Sequence, residues 1–193
     1  MQLDGEVETD EVYLVCGHKG QSSKVRQANR LPRCRRLKGA RGRGTMKTEK
    51  PPVLGFIKRG GQLVLKLLEN VQQKTIKPIF EAVVRPGTLV YTDEYNIYNR
   101  LKEWGYGHKT VCHSAGEYAR DEDGDGFCEV HVNTQEGIWS VLRAWLRPHR
   151  GISQANMPLY LGFFEFIFNT RRRGKAVLED LFRTILQPDL REI

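Results

Sequence analysis

At 193 residues, 39% of them hydrophobic, the chain is long enough to bury one sizeable core, and a single domain over residues 1–193 is expected. This composition excludes a wholly disordered chain. The longest apolar run, Leu159 to Phe168, is interrupted by Glu165 and is well short of the roughly 20 residues that a membrane span needs, and the acidic opening MQLDGEVETDE has no apolar core of a signal peptide. A cytoplasmic protein without membrane attachment is expected.

The net charge of +8 is unevenly spread: between Gly17 and Lys50, 12 Lys or Arg stand against one acid, Glu49, so the rest of the chain is net acidic. The four cysteines, Cys16, Cys34, Cys112 and Cys128, include no Cys-x-x-Cys pair, so reduced thiols are expected. A zinc site from Cys112, His113, Cys128 and His131 is the alternative, disfavoured because the adjacent ligands Cys112 and His113 rarely fit one tetrahedron.

In chain order, EVETDEVYLVC (Glu6 to Cys16) alternates and then turns apolar, which predicts a strand with Asp10 in its middle. A lone carboxylate is expensive there unless something compensates it. The segment RLPRCRRLKGARGRG is Arg-rich, punctuated by glycine and nearly free of large apolar residues, so it reads as an arm or loop within a basic insertion at about 17–50. Arg33, Arg35, Arg36, Lys38, Arg41 and Arg43 in it are candidates for neutralising nucleic-acid phosphates, the bland alternative being a solvated loop.

PVLGFIKRGGQLVLKLL predicts a hairpin, with strands near Val53 to Lys58 and Gln62 to Leu67 joined at Gly60-Gly61. Ile76, Ile79, Phe80 and Val83 have helical spacing, and Pro86-Gly87 closes that helix. TLVYTD predicts a short strand ending on Asp93, EYNIYNRLKEWG a helix to Gly105, and HKTVCHS another strand. This order of elements fits a ribonuclease-H-like α/β sheet flanked by helices better than a doubly wound one.

ARDEDGDGFCEVHV resembles the front half of a calcium loop, with Asp121, Asp123, Asp125 and Gly126 in step, but Val132 stands where a bidentate Glu belongs, so an acidic surface loop is expected. HVNTQEGIW opens a helix, where Asn133 and Glu136 have the spacing of a capping box. On that helix Glu136, Ser140, Arg143 and Arg147 share a polar stripe opposite Ile138, Leu142 and Trp145. Arg143 and Arg147 are further nucleic-acid candidates, and Trp139, at the border of the stripe, is expected to pack in the core in preference to stacking on a base. NMPLYLGFFEFIFNTRRRG predicts an apolar helix ending in Arg171, Arg172 and Arg173 with Gly174 as its cap, and a last amphipathic helix is expected over about Ala176 to Leu186.

Asp10, Asp93 and Glu136 each have a structural explanation taken singly. If the first and fourth strands are neighbours, however, Asp10 and Asp93 converge, and like carboxylates repel unless a cation holds them. Hard oxygen ligands point to Mg²⁺ or Mn²⁺, and two such ions could drive phosphodiester displacement on a phosphate-rich partner.

VETDEVYL, VYTDEYNIYNRL and HVNTQEGIWSVLRAWLRPHRGIS, followed by YLGFFEFIFNTRRRG, resemble the DDE-type transposases of a bacterial insertion-sequence family related to the eukaryotic Merlin transposons. The resemblance runs from Glu6 over nearly the whole chain. It implies Asp10, Asp93 and Glu136 as the catalytic, metal-binding triad, His131 and Asn133 as site-orienting residues, and two Mg²⁺ or Mn²⁺ ions. It also implies hydrolytic nicking at transposon ends followed by attack of the freed 3′-hydroxyl on target DNA, by a homodimer associated with the nucleoid. Members of the family usually carry a zinc-ribbon or helix-turn-helix region before the first catalytic strand, and only about nine residues precede Asp10, so a catalytic domain without that module is expected. The alternatives are an inactive remnant that only binds DNA and a stand-alone nuclease of the same fold.

Overall fold

The computed structural model describes residues 2–27 and 42–171, together with Gly174 and Phe182. Strands β1 (Glu6–Tyr13), β2 (Pro52–Lys58), β3 (Leu63–Leu67), β4 (Leu89–Thr92) and β5 (Gly107–Thr110) form one sheet in the order β3-β2-β1-β4-β5. The first three run antiparallel as a meander, whereas β4 lies parallel to β1 and β5 parallel to β4. Helix α1 (Ser22–Gln27) lies between β1 and β2, and helix α2 (Gln73–Val83) makes the crossover from β3 to β4. A two-stranded ribbon of β6 (Ala119–Arg120) and β7 (Val130–His131) leads into helix α3 (Asn133–Leu146), and helix α4 (Met157–Arg171) follows. The sheet is mixed and ribonuclease-H-like, with β1 and β4 adjacent at its centre.

Alternation divides the strand side chains between two cores. Val7, Leu54, Phe56 and Val90 pack with Ile76, Phe80 and Val83 of α2, and with Tyr98 and Leu101. On the other face Val12, Val53, Ile57 and Leu65 meet Ile138, Trp139 and Leu142 of α3 and Met157, Leu161 and Phe164 of α4. Each such aliphatic or aromatic side chain contributes roughly 1.5–3 kcal/mol when fully buried. Glu165, the charge that interrupts the long apolar run, has a structural use. It accepts the Leu65 N–H at 2.8 Å, while the Asn169 amide bonds both the N–H and the C=O of Leu63 at 2.8 Å. Side chains of α4 thus satisfy backbone groups that the edge strand β3 would otherwise leave open.

Three local expectations need correction. EYNIYNRLKEWG is a 3₁₀ turn, Asn96–Tyr98, followed by further turns, because its amides bond mainly three residues back, Tyr98 to Tyr95 and Leu101 to Tyr98. The strand predicted in HKTVCHS ends at Thr110, and His113–Ala115 turns away as a 3₁₀ segment. The Asn133–Glu136 capping box does not form: α3 starts after Val132 with no side-chain cap from its own sequence. The hairpin is as expected, with Gly60 at φ +65° in its turn and Lys58 N–H bonding Gln62 C=O at 2.9 Å.

The two ends of the basic insertion lie together, since Leu14 N–H bonds Pro51 C=O and Cys16 N–H bonds Glu49 C=O. Arg33, Arg35, Arg36, Lys38, Arg41 and Cys34, and likewise Arg172, Arg173 and the amphipathic helix expected over 176–186, lie outside the described residues, apart from Phe182. Among the described residues no helix is long and apolar enough to cross a membrane.

Candidate active site

The register of the two central strands brings the first two acids together. Glu8 pairs with Tyr91, and two residues further along both parallel strands come Asp10 and Asp93. Asp10 turns toward the α3 face. Its Oδ2 accepts the Trp139 indole N–H at 2.8 Å and its Oδ1 accepts the Glu11 amide at 2.7 Å. Burial is the main reason that its pKa is pushed up to about 6, and the charges of Asp93 and Glu136 push in the same direction against the Trp139 hydrogen bond. Asp93 accepts the Tyr95 amide at 3.0 Å and is also raised, first by burial. Glu136 stands in the first turn of α3 with its side chain 48% exposed. Asp10 therefore feels the charge of both other acids across a partly open site.

Neither Asn133 nor Glu136 caps α3; a strand residue distant in sequence does. Glu8, fully buried, accepts the Gln135 N–H at 3.1 Å and the Thr134 hydroxyl at 2.9 Å. Arg59 answers its charge: Nε donates to Glu8 at 2.9 Å, and the guanidinium also holds the C=O groups of Glu129 and His131 at 2.6 and 3.0 Å and lies over the Tyr91 ring at 3.8 Å. Carboxylate acceptance at a helix N-terminus is favourable because the first amides have no partner within the helix. Since Glu8 does the capping, the Glu136 carboxylate is left for other work.

His131 faces this cluster and not the three acids, with Nδ1 3.3 Å from Glu8 Oε1 without hydrogen-bond alignment. Asn133 is the exposed first residue of α3. The site instead gains a histidine that the sequence reading placed only in a hypothetical zinc site. His113 Nδ1 lies 3.7 Å from Glu136 Oε1, and its charge lowers the Asp93 pKa. Its position follows from Glu94, whose carboxylate accepts the amides of His113 and Ser114 at 2.9 and 3.0 Å. Its own backbone amide first, and then these two, pull the Glu94 pKa down to about 2.

On the other sheet face Glu11 accepts the Tyr98 hydroxyl at 2.7 Å, and burial raises its pKa to about 7. Arg43, from the end of the basic insertion, stacks its guanidinium 3.4 Å from the Tyr95 ring centroid and lowers the pKa of both Glu11 and Asp93. This places Arg43 at the mouth of the acid cluster. Arg143 on α3 and Arg147 in the 3₁₀ turn just after it are exposed and border a cleft of about 200 Å³ together with Leu14, Val15, Ile152 and Met157. Among the described residues neither arginine has an ion-pair partner.

Among the described residues, the group of three whose ligand atoms all lie within 4.8 Å of one another is Asp121, Asp123 and Glu129, not the acids around Asp10 and not Cys112, His113, Cys128 and His131. The disfavoured zinc alternative is not assembled: His131 is turned to Glu8 and His113 to Glu136, and Cys112 and Cys128 are free thiols. The acidic loop is held by its own backbone, with Asp121 accepting the amides of Gly124 and Gly126 at 2.7 and 2.8 Å. Trp139, 4% exposed, is a core residue as expected, and its polar edge reaches Asp10 as well.

An acid in the first strand, a second at the matching register of its parallel neighbour and a third in the first turn of the adjoining helix thus stand near one another on a ribonuclease-H-like sheet. The chain belongs to the ISXO2-like transposase domain family, whose model matches residues 2–169. It is 34% identical, over 189 residues, to an uncharacterized protein in transposable element ISH50 of Halobacterium salinarum, covering 95% of this chain and 59% of that protein. It is also 30% identical to an uncharacterized transposase-like protein of Haemophilus influenzae over 105 residues, 53% of this chain and 77% of that protein. The chain thus spans about three fifths of the length of its Halobacterium relative. Membership of this family implies DNA as partner and divalent metal as cofactor.

Proposed function

We propose that this chain is the catalytic domain of an insertion-sequence transposase, cutting DNA strands and joining the freed 3′-hydroxyl to target DNA with Asp10, Asp93 and Glu136 as its catalytic triad. The observation that carries the reading is the register of β1 and β4, which sets Asp10 beside Asp93, with Glu136 on a helix bonded to β1 through both Glu8 and Asp10.

The donor set fits Mg²⁺ or Mn²⁺. Two carboxyls raised first by burial, Asp10 further by the charges of Asp93 and Glu136, and a half-exposed third make up an all-oxygen set. Asp10, Asp93 and Glu136 would hold the metal, and their ligand atoms do not all lie within 4.8 Å of one another, which suits two ions better than one. Bound metal would supply an activated attacking oxygen and charge stabilisation at the leaving oxygen. The chain's own part is to fix these ligands on a strand, a strand end and a helix, and to offer cations to phosphate. Arg43 lies on Tyr95 near Asp93, and Arg143 and Arg147 line the cleft beside Leu14 and Val15, all within one continuous domain that includes the basic insertion. His131 acts indirectly, through Glu8, on the start of α3.

The test is cleavage and strand transfer on labelled DNA carrying the flanking element's terminal repeats, with Mn²⁺ or Mg²⁺, for the wild type and Asp93→Asn. Joined products that vanish in the variant support a transposase core. Nicking without joining would point to a nuclease, and salt-sensitive DNA binding with no product from either protein would point to an inactive remnant.

A further inference from the structure

Trp139 lies three residues after Glu136 on α3, and its indole N–H reaches Asp10 in β1. The helix can approach the sheet this closely because β2 carries Gly55 directly opposite Asp10 in the antiparallel register. A Cβ at residue 55 would lie 2.5 Å from Trp139 Cη2 and 2.2 Å from Gln135 Nε2, both on rigid or buried side chains, so any other residue would push α3 off the strand. Neither residue's role is explained by packing alone. An indole buried among Leu and Ile needs an acceptor for its N–H, and here that acceptor is one of the candidate metal ligands.

We propose that Gly55 and Trp139 form a positioning device. Gly55 gives α3 its clearance, and Trp139 locks the Asp10 carboxylate in orientation and sets its spacing to Glu136 for the cation. The inference rests on the reading of Asp10, Asp93 and Glu136 as metal ligands. With Oδ2 held by the indole and Oδ1 by the Glu11 amide, Asp10 cannot rotate freely, and each oxygen keeps a lone pair for a cation. Outer partners of this kind typically change metal affinity or activity by about 10–100-fold when removed.

The experiment is Mn²⁺ binding to the full chain, read from the electron paramagnetic resonance of free ion, for the wild type, Trp139→Phe, Trp145→Phe, Asp10→Asn, Glu136→Gln and the double variant Trp139→Phe with Asp10→Asn. Trp145 is on the same helix and packs on Tyr160 and Phe164. The expected result is a loss of about ten-fold in Mn²⁺ affinity for Trp139→Phe, none for Trp145→Phe, and no added loss for Trp139→Phe in the Asp10→Asn background. In parallel, the Trp139 indole N–H resonance of the wild type should move as Mg²⁺ is added, which needs no variant to fold. A Trp139→Phe protein that is less heat-stable but binds Mn²⁺ within two-fold of wild type would overturn the proposal. So would an indole resonance that stays still while Asp10-dependent binding saturates. Mn²⁺ binding indifferent to Asp10→Asn and Glu136→Gln would instead overturn the triad reading, and this inference with it.

Discussion

The tripeptide Thr-Asp-Glu occurs twice, as Thr9-Asp10-Glu11 in β1 and as Thr92-Asp93-Glu94 at the end of β4. The middle residues are alike: both are partly buried acids with raised pKa values at matching positions of neighbouring strands. The third residues have opposite fates. Glu11 is still inside the strand, so its side chain points into the face that holds Tyr98, and burial pushes its pKa to about 7. Glu94 is past the end of its strand, where it is exposed, and its own backbone amide together with those of His113 and Ser114 brings its pKa down to about 2. One tripeptide thus gives two opposite electrostatic settings at its third residue, according to whether the strand continues. The thresholds for burial and amide access come from the sheet, not from the motif.

The largest effect should come from the members the two motifs share. Asp10→Asn or Asp93→Asn should reduce metal-dependent strand cleavage by more than about a hundred-fold, as should Glu136→Gln, with unchanged circular dichroism. Retained cleavage in any one would remove that residue from the triad. Next comes the acid that precedes the first motif. Glu8→Ala would leave Arg59 and the first amides of α3 without their buried acceptor, at a cost of about 3–5 kcal/mol, read as a lower urea midpoint. A loss below about 1 kcal/mol would mean that solvent replaces Glu8 at the helix start.

Glu11 and Glu94 should then separate by pH. In metal-free protein Glu11 holds its proton up to about pH 7, whereas an unfolded Glu releases it near 4.5. The folded state therefore binds more protons in that window, and Glu11 makes stability fall as pH rises through it. Glu11→Gln should be more stable than wild type at pH 8 by about 1–2 kcal/mol and equal to it at pH 4, checked by urea melts at both. Glu94 has the opposite sign: its contribution is present above the ordinary carboxylate range and is lost as pH falls through about 2. Because Glu94 is exposed, Glu94→Gln should give the smallest change, under about 1 kcal/mol. Faster hydrogen exchange at the His113 and Ser114 amides would report it, and unchanged exchange there would sever the link between the second motif and His113.

Much of this was legible in the chain because it is local. The alternation of β1, the Gly60-Gly61 hairpin, the apolar stripe of α3 and the acids of β1 and β4 follow from periodicity and turn chemistry, and the order of elements pointed to a ribonuclease-H-like sheet. The capping of α3 was misread for the opposite reason. Asn133 and Glu136 have the right spacing, but Glu8 accepts the Gln135 amide from 127 residues away, and no local pattern predicts which of two acceptors the helix start will meet. His113 went unrecognised as a neighbour of Asp93 and Glu136 because its place depends on Glu94 gripping a loop after β5. Arg43 carried a DNA-binding expectation, but only the fold brings it onto Tyr95 beside Asp93. The sequence by itself determined which acids, which strands and which basic stretch the protein has. Tertiary structure decided which acid caps, which is paired and which remains for a cation, because those outcomes depend on burial and on donors brought in from remote parts of the chain.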